Sequence, residues 1–71
     1  MKARKIFGQN VRKFRQELEL SQEELAHRAG MDRSFIGGVE RGEFNISLDN
    51  ICKLAKVLDV QPYDLMEGIS V

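Results

Sequence analysis

The reactive side chains of this 71-residue chain are few, and they do not fall into a catalytic pattern. His27 is the only histidine and Cys52 the only cysteine, so neither has a partner at metal-ligand spacing. No Ser/His/Asp set, Cys/His set, paired-carboxylate arrangement or glycine-rich phosphate loop is visible. We therefore expect no enzymatic activity, no metal and no cofactor, which leaves recognition as the chemistry to look for.

Residues 21–42 are typical of two short helices held at a fixed angle. Ser21, followed three residues later by Glu24, predicts a capping box, and Gly30 can end that first helix in the left-handed conformation. Asp32 can then cap a second helix. Apolar residues at helical spacing fill both segments: Leu25, Ala29, Phe35, Ile36 and Val39. The pattern predicts a helix-turn-helix motif, which presents its second helix to the major groove of DNA.

The rest of the chain also has helical periodicity, and nothing alternates with the period of a strand. We predict an all-α protein of five helices in a single domain, residues 1–71. The first helix spans about residues 4–18, the fourth spans 48–58 after a cap at Ser47, and a short fifth runs from Pro62 to Met66. The apolar positions of the first and fourth helices include Phe7, Val11, Phe14, Leu18, Leu48, Ile51, Leu54 and Leu58, with Cys52 expected as a small core residue.

The formal net charge is zero, but the charges are unevenly distributed along the chain. Residues 1–33 carry eight basic and five acidic groups, whereas residues 34–71 carry three basic and six acidic groups. Such a dipolar molecule can still offer a positive face to phosphates, with modest electrostatic affinity. The single cysteine, and the absence of a signal-peptide pattern or a long apolar run in the sequence, lead us to expect a cytoplasmic protein with no membrane contact.

Over about residues 5–66 the chain resembles the Cro/C1-type (XRE-like) helix-turn-helix family, through the pattern LSQEELAHRAG…RSFIGGVERGEFNISLDNICKLAKVLDV. The resemblance implies a compact, lambda-repressor-like five-helix domain that binds a two-fold-symmetric operator in double-stranded DNA as a homodimer. Among members of that family, the chain looks most like a restriction–modification controller protein or a small phage-type repressor. The resemblance further implies a nucleoid-associated bacterial or phage regulator that acts on its own promoter or on a linked gene.

The resemblance also assigns roles to individual positions of this chain. Arg33 and Ser34 match positions that contact base edges, and Arg33 has the two-pronged donor geometry that suits guanine. Phe35 could contact a thymine methyl group, and Gly38 could let the backbone approach the bases. The positions that match phosphate contacts are Gln22, Arg41, Asn45 and Ser47. Arg15 and Glu40 resemble a structural ion pair between the first helix and the end of the recognition helix.

Three features depart from the family pattern. Gly37 and Gly38 stand where relatives carry polar base-reading side chains. Glu43 and Phe44 replace the basic loop residue of many relatives, which weakens the expected grip on phosphate. Glu19 stands at a turn where glycine is usual, so a left-handed backbone there would be strained.

Partners other than DNA are less closely defined by the sequence. Dimerisation is expected through residues near Tyr63, Leu65, Met66 and Ile69, although Leu65 and Met66 could instead complete the core of the monomer. RNA polymerase is a candidate partner, contacted by acidic residues such as Glu23, Glu24 and Glu43, whereas no small-molecule ligand is expected. The alternative function is an antitoxin or bridging module that binds a protein, with DNA binding secondary.

Overall fold

The computed structural model describes residues 2–71, which form four α helices and one 3₁₀ helix. The α helices are α1 (Lys2–Glu17), α2 (Gln22–Ala29), α3 (Arg33–Glu40) and α4 (Leu48–Leu58), and the 3₁₀ helix is Pro62–Met66. No strand occurs within these residues. The all-α prediction is confirmed, but the predicted fifth helix is only a short 3₁₀ segment that begins at Pro62.

Side-chain caps begin two of the helices as the sequence predicts. The Ser21 hydroxyl accepts a hydrogen bond from the Glu24 N–H (3.0 Å), and the Glu24 carboxylate accepts one from the Ser21 N–H (2.8 Å). The Ser47 hydroxyl accepts from the Asn50 N–H (3.2 Å) at the start of α4. Asp32 occupies the cap position of α3 but makes no side-chain cap hydrogen bond. Its predicted role is therefore wrong in detail, and the first turn of α3 keeps its amide donors without a side-chain cap.

All four α helices are followed by a residue with a left-handed backbone. These residues are Glu19, Gly30, Gly42 and Asp59, with φ angles of 58°, 70°, 78° and 58°. The left-handed residue lets the chain turn back so that two successive N–H groups bond to carbonyls in the last turn of the helix. Glu19 and Asp59 have a Cβ in this conformation, which costs about 1–2 kcal/mol each. The strain predicted for Glu19 is therefore present, and Asp59 adds a second, unpredicted case.

The core lies where α1, α2, α3, α4 and the 3₁₀ helix meet. Its fully buried side chains include Leu25, Ile36, Leu54, Leu65, Val11 and Val39. Three residues that the sequence placed on apolar faces are exposed instead: Leu18, Leu48 and Cys52. Leu18 lies just beyond the end of α1 and Leu48 is the first residue of α4, so neither reaches the core. Cys52 is one residue past the buried Ile51, which turns its side chain toward solvent.

A nearly buried ion pair joins the end of α1 to the last residue of α3. Arg15 Nε donates to Glu40 Oε2 at 2.6 Å and Arg15 Nη2 donates to Glu40 Oε1 at 3.0 Å. The exposed fractions of the two side chains are 11% and 4%. A third Arg15 nitrogen, Nη1, donates to the Leu20 carbonyl (2.8 Å), and the hydrogen bond to Glu40 raises the pKa of Arg15 above its usual value. The predicted pair is present, and it fixes α1, the following turn and α3 together.

We expect Arg15→Ala to lower the free energy of unfolding by about 3–5 kcal/mol, because it leaves the Glu40 carboxylate buried without its cation. Urea denaturation followed by circular dichroism measures the change. Arg12→Ala, at an exposed position of the same helix, is the matched control and should cost less than about 0.5 kcal/mol. Similar costs for the two variants would show that the ion pair does not stabilise the fold.

Candidate nucleic-acid interface

The two helices of the predicted motif pack directly on each other. Leu25 and Ala26 of α2 are buried, as are Ile36 and Val39 of α3, so the facing sides of both helices are apolar. Residues 30–32 connect the helices, and the left-handed Gly30 makes the reversal of direction possible. The predicted helix-turn-helix over residues 21–42 therefore has the expected elements and connection.

The opposite side of α3 is the surface that could enter a groove. Residues advance by about 100° around a helix, so Ser34, Gly38 and Arg41 lie roughly opposite the buried Ile36. Arg33 and Ser34 are both exposed in the first turn of α3. The two residues predicted to contact base edges therefore stand on an accessible part of the helix, at the end where the amide groups lack a side-chain cap.

The middle of that surface is covered by neighbouring side chains. A Cβ built on Gly37 would lie 3.1 Å from Arg41 Nη1 and 3.7 Å from Gln22 Oε1. A Cβ built on Gly38 would overlap the Phe44 ring. Both glycines are buried as a result. The prediction that Gly38 itself meets the bases disagrees with this burial, because Phe44 occupies the space in front of it.

Phe44 reaches Gly38 because the chain reverses at the end of α3. Gly42 N–H donates to the Val39 carbonyl at 3.0 Å, and Glu43 N–H donates to the Gly38 carbonyl at 2.9 Å. The Phe44 ring also stacks on Phe35, with centroids 5.4 Å apart and planes 14° from parallel. We call Phe35 and Phe44 the phenylalanine pair. Sequence reasoning treated Phe44 only as a missing basic residue; two adjacent glycines inside a helix were the available indication of a close neighbour.

Three of the four predicted phosphate-contacting residues already have partners within the chain. Gln22 Nε2 donates to Glu40 Oε1 (3.1 Å), and the Ser47 hydroxyl caps α4. Arg41 Nε and Nη2 donate to the two carboxylate oxygens of Glu43 at 2.8 and 3.2 Å. Asn45 is exposed in the loop before α4.

The Arg41–Glu43 pair is exposed, so it competes directly with any external anion for the guanidinium. The hydrogen bond from Arg41 lowers the pKa of Glu43, and the same bond raises the pKa of Arg41. Both groups are therefore charged at neutral pH. The pair carries no net charge, which is consistent with a weaker grip on phosphate than a lone arginine would provide.

The predicted dimer surface is only partly exposed. Tyr63 and Met66 are exposed and Ile69 is half-buried, whereas Leu65 is fully buried in the core of the single chain. Leu65 therefore presents no side-chain surface to a partner, and its inclusion in the interface is corrected. Met66 and Ile69 line one side of an open groove of about 250 Å³ that Phe7 and Phe44 also line.

Metal-ligating clusters and membrane-spanning helices are absent from the described part of the chain. Within residues 2–71, no group of three or more His, Cys, Asp or Glu side chains is arranged to hold a metal ion. His27 and Cys52 are both exposed. None of the described helices is long and apolar enough to cross a membrane.

Comparison with known proteins agrees with this geometry. A family model described as helix-turn-helix matches residues 11–65. The chain is 48% identical over 65 residues to the control protein C.BamHI of Bacillus amyloliquefaciens, covering 90% of this chain and 80% of that protein. Its fold matches the crystal structure of the restriction–modification controller protein C.AhdI from Aeromonas hydrophila, with a TM-score of 0.89 and 51% identity over 92% and 98% of the two chains.

A third similarity includes DNA. The crystal structure of SinR, a master regulator for biofilm formation, in complex with DNA matches with a TM-score of 0.82 and 34% identity, covering 86% of this chain and 98% of that one. The family model, the similarity to C.BamHI and C.AhdI and the exposed first turn of α3 all agree with a helix-turn-helix regulator. The chain belongs to the Cro/C1-type (XRE-like) helix-turn-helix family.

Proposed function

We propose that this helix-turn-helix transcriptional regulator is a controller protein that binds a palindromic operator as a homodimer and regulates its own promoter or a linked gene. The observation that carries the proposal is the first turn of α3. Arg33 and Ser34 are exposed there, on a helix whose other end is fixed to α1 through Glu40. Similarity to the control proteins supports the controller role.

The proposed DNA contacts are of two kinds: contacts with base edges, which recognise the sequence, and contacts with phosphates, which position the protein. Arg33 reads guanine through paired hydrogen bonds, Ser34 contacts a neighbouring base, and Phe35 contributes apolar surface. The four polar residues that hold the backbone are Gln22, Arg41, Asn45 and Ser47. Gln22 is supported by the N-terminus of α2, where the partial positive charge favours a phosphate. This function involves no catalytic step, cofactor or small-molecule ligand. The DNA-binding domain spans residues 1–71. It acts on DNA in the cytoplasm.

Two of the three acidic residues that could recruit RNA polymerase already have partners within the chain. Glu24 accepts the Ser21 N–H in the capping box and Glu43 is bound by Arg41. Glu23 is exposed on α2. Repression by occupation of the promoter therefore requires fewer additional contacts than recruitment does.

We expect tight binding to the DNA upstream of the chain's own gene and weak binding to a scrambled duplex, measured by fluorescence anisotropy across a salt series. Arg33→Ala should weaken specific binding by about ten- to a hundredfold for each half-site, because each two-pronged contact with guanine contributes roughly 1–3 kcal/mol of discrimination. Arg28→Ala removes the same charge from an exposed position of α2 and serves as the control. Equal, weak and strongly salt-dependent binding to both duplexes would contradict a specific regulator and favour the bridging module.

We expect Glu43→Gln to tighten DNA binding several-fold at low salt, because it removes a negative charge and releases Arg41 for a phosphate. The slope of log affinity against log salt should become steeper by about one for each half-site. Glu17→Gln removes the same charge from an exposed residue outside the pair. If both variants change the affinity and slope equally, Arg41 does not gain a phosphate contact.

We expect the chain to sediment as a species of twice its 8.1 kDa mass, since two half-sites lie about 34 Å apart, one helical turn of DNA. Met66→Lys should shift this equilibrium toward monomer by placing a charge in an apolar interface with Tyr63 and Ile69. Leu18→Lys, at a similarly exposed apolar residue, is the control. A purely monomeric wild type at tens of micromolar would contradict the dimer.

A further inference from the structure

Phe44 is the largest exposed apolar side chain beside the first turn of α3. The base and phosphate contacts proposed above give it no role. Phe44 remains 42% exposed even though its ring lies against Gly38 and stacks on Phe35, and it also lines the open groove beside Met66 and Ile69. Covering this aromatic surface with an apolar partner would be favourable.

We propose that the phenylalanine pair is a specificity element that recognises the 5-methyl groups of thymine, with Phe44 as the principal reader. The inference rests on the proposed DNA-binding function and deepens it. Phe44 thereby takes the place of the side chains that Gly37 and Gly38 lack, and the surface read by the middle of α3 becomes apolar.

The position of the ring supports this role. Ser34 and Gly38 are four residues apart, so they are neighbours on one face of α3. A ring that covers Gly38 lies next along that face from Ser34 and Arg33, the proposed base readers. The 5-methyl group of thymine is the apolar feature that base pairs present in the major groove. An aromatic ring without hydrogen-bonding atoms can distinguish thymine there, and it gains little from any other base.

The ring is also held in place before any DNA arrives. The Glu43 N–H bonds to the Gly38 carbonyl (2.9 Å), which fixes the backbone immediately before Phe44. The stack on Phe35 and the contact with Gly38 restrict the side chain further. A prearranged contact loses less conformational entropy on binding, so even a single methyl group can be discriminated.

The experiment pairs removal of the ring with removal of the methyl group. Wild-type protein first selects its preferred sites from a pool of random-sequence duplexes. Each thymidine of the selected site is then replaced in turn by deoxyuridine, which removes only the 5-methyl group of the base. Affinities are measured by fluorescence anisotropy for the wild type, Phe44→Ala, Phe44→Leu and Leu18→Ala, the last being a control at a similarly exposed apolar residue.

We expect at least one thymine in each half-site whose replacement weakens wild-type binding by about fourfold, the effect of one buried methyl-sized group. The same replacement should cost Phe44→Ala almost nothing, Phe44→Leu an intermediate factor, and Leu18→Ala the full fourfold. Gly38→Ala should reproduce the loss of sensitivity in a folded protein, because its methyl group displaces the Phe44 ring without changing that ring. Circular dichroism confirms that each variant remains helical.

The outcomes separate the inference from the function on which it rests. If deoxyuridine substitution leaves the affinity for an enriched site unchanged, or lowers it equally for wild type and Phe44→Ala, the thymine-reading role is overturned and specific DNA binding remains intact. Recovery of no enriched sequence overturns the proposed function, and the inference with it. A coupling between Phe44 and one methyl group supports both, since a merely structural role for the ring would not depend on that methyl group.

Discussion

The carboxylate of Glu40 is the constraint on which the arrangement of the three N-terminal helices depends. It lies at the last residue of α3, and its side chain is only 4% exposed. Arg15 of α1 and Gln22 of α2 both donate to it. A buried charge is tolerated only where such partners surround it. Any rotation of α3 against α1 or α2 would break these bonds, so the carboxylate sets the direction in which the first turn of α3 projects.

This constraint matters because α3 has little stability of its own. It is eight residues long, and Gly37 and Gly38 each cost up to about 1 kcal/mol relative to alanine. Isolated helices of this length do not persist in water. Tertiary contacts therefore hold α3 in shape: Ile36 and Val39 are buried in the core, and Phe44 covers one glycine from outside. The recognition helix is thus a product of the whole fold rather than of its own sequence.

The features that sequence reasoning predicted well are local ones. The caps of Ser21 and Ser47 and the left-handed Gly30 depend on residues within a few positions of each other, and all are present. The outcomes that differed depend on which tertiary neighbours a residue meets. Leu65 and Cys52 have the same apolar character in the sequence, yet one is fully buried and the other is exposed. The packing of Phe44 on α3 was missed for the same reason, since it follows from a chain reversal that spacing alone does not locate.

The charge distribution and the phenylalanine pair point to one consistent mode of binding. A chain with no net charge, in which Glu43 neutralises Arg41, has weak general attraction for phosphate. That loss affects specific and non-specific DNA alike, so it lowers affinity without lowering their ratio. Apolar contact by Phe44 would add affinity only where a suitable base is present, and it is insensitive to salt. A regulator built in this way gives up electrostatic attraction but retains discrimination, which is the quantity that decides occupancy of one operator among many competing sites.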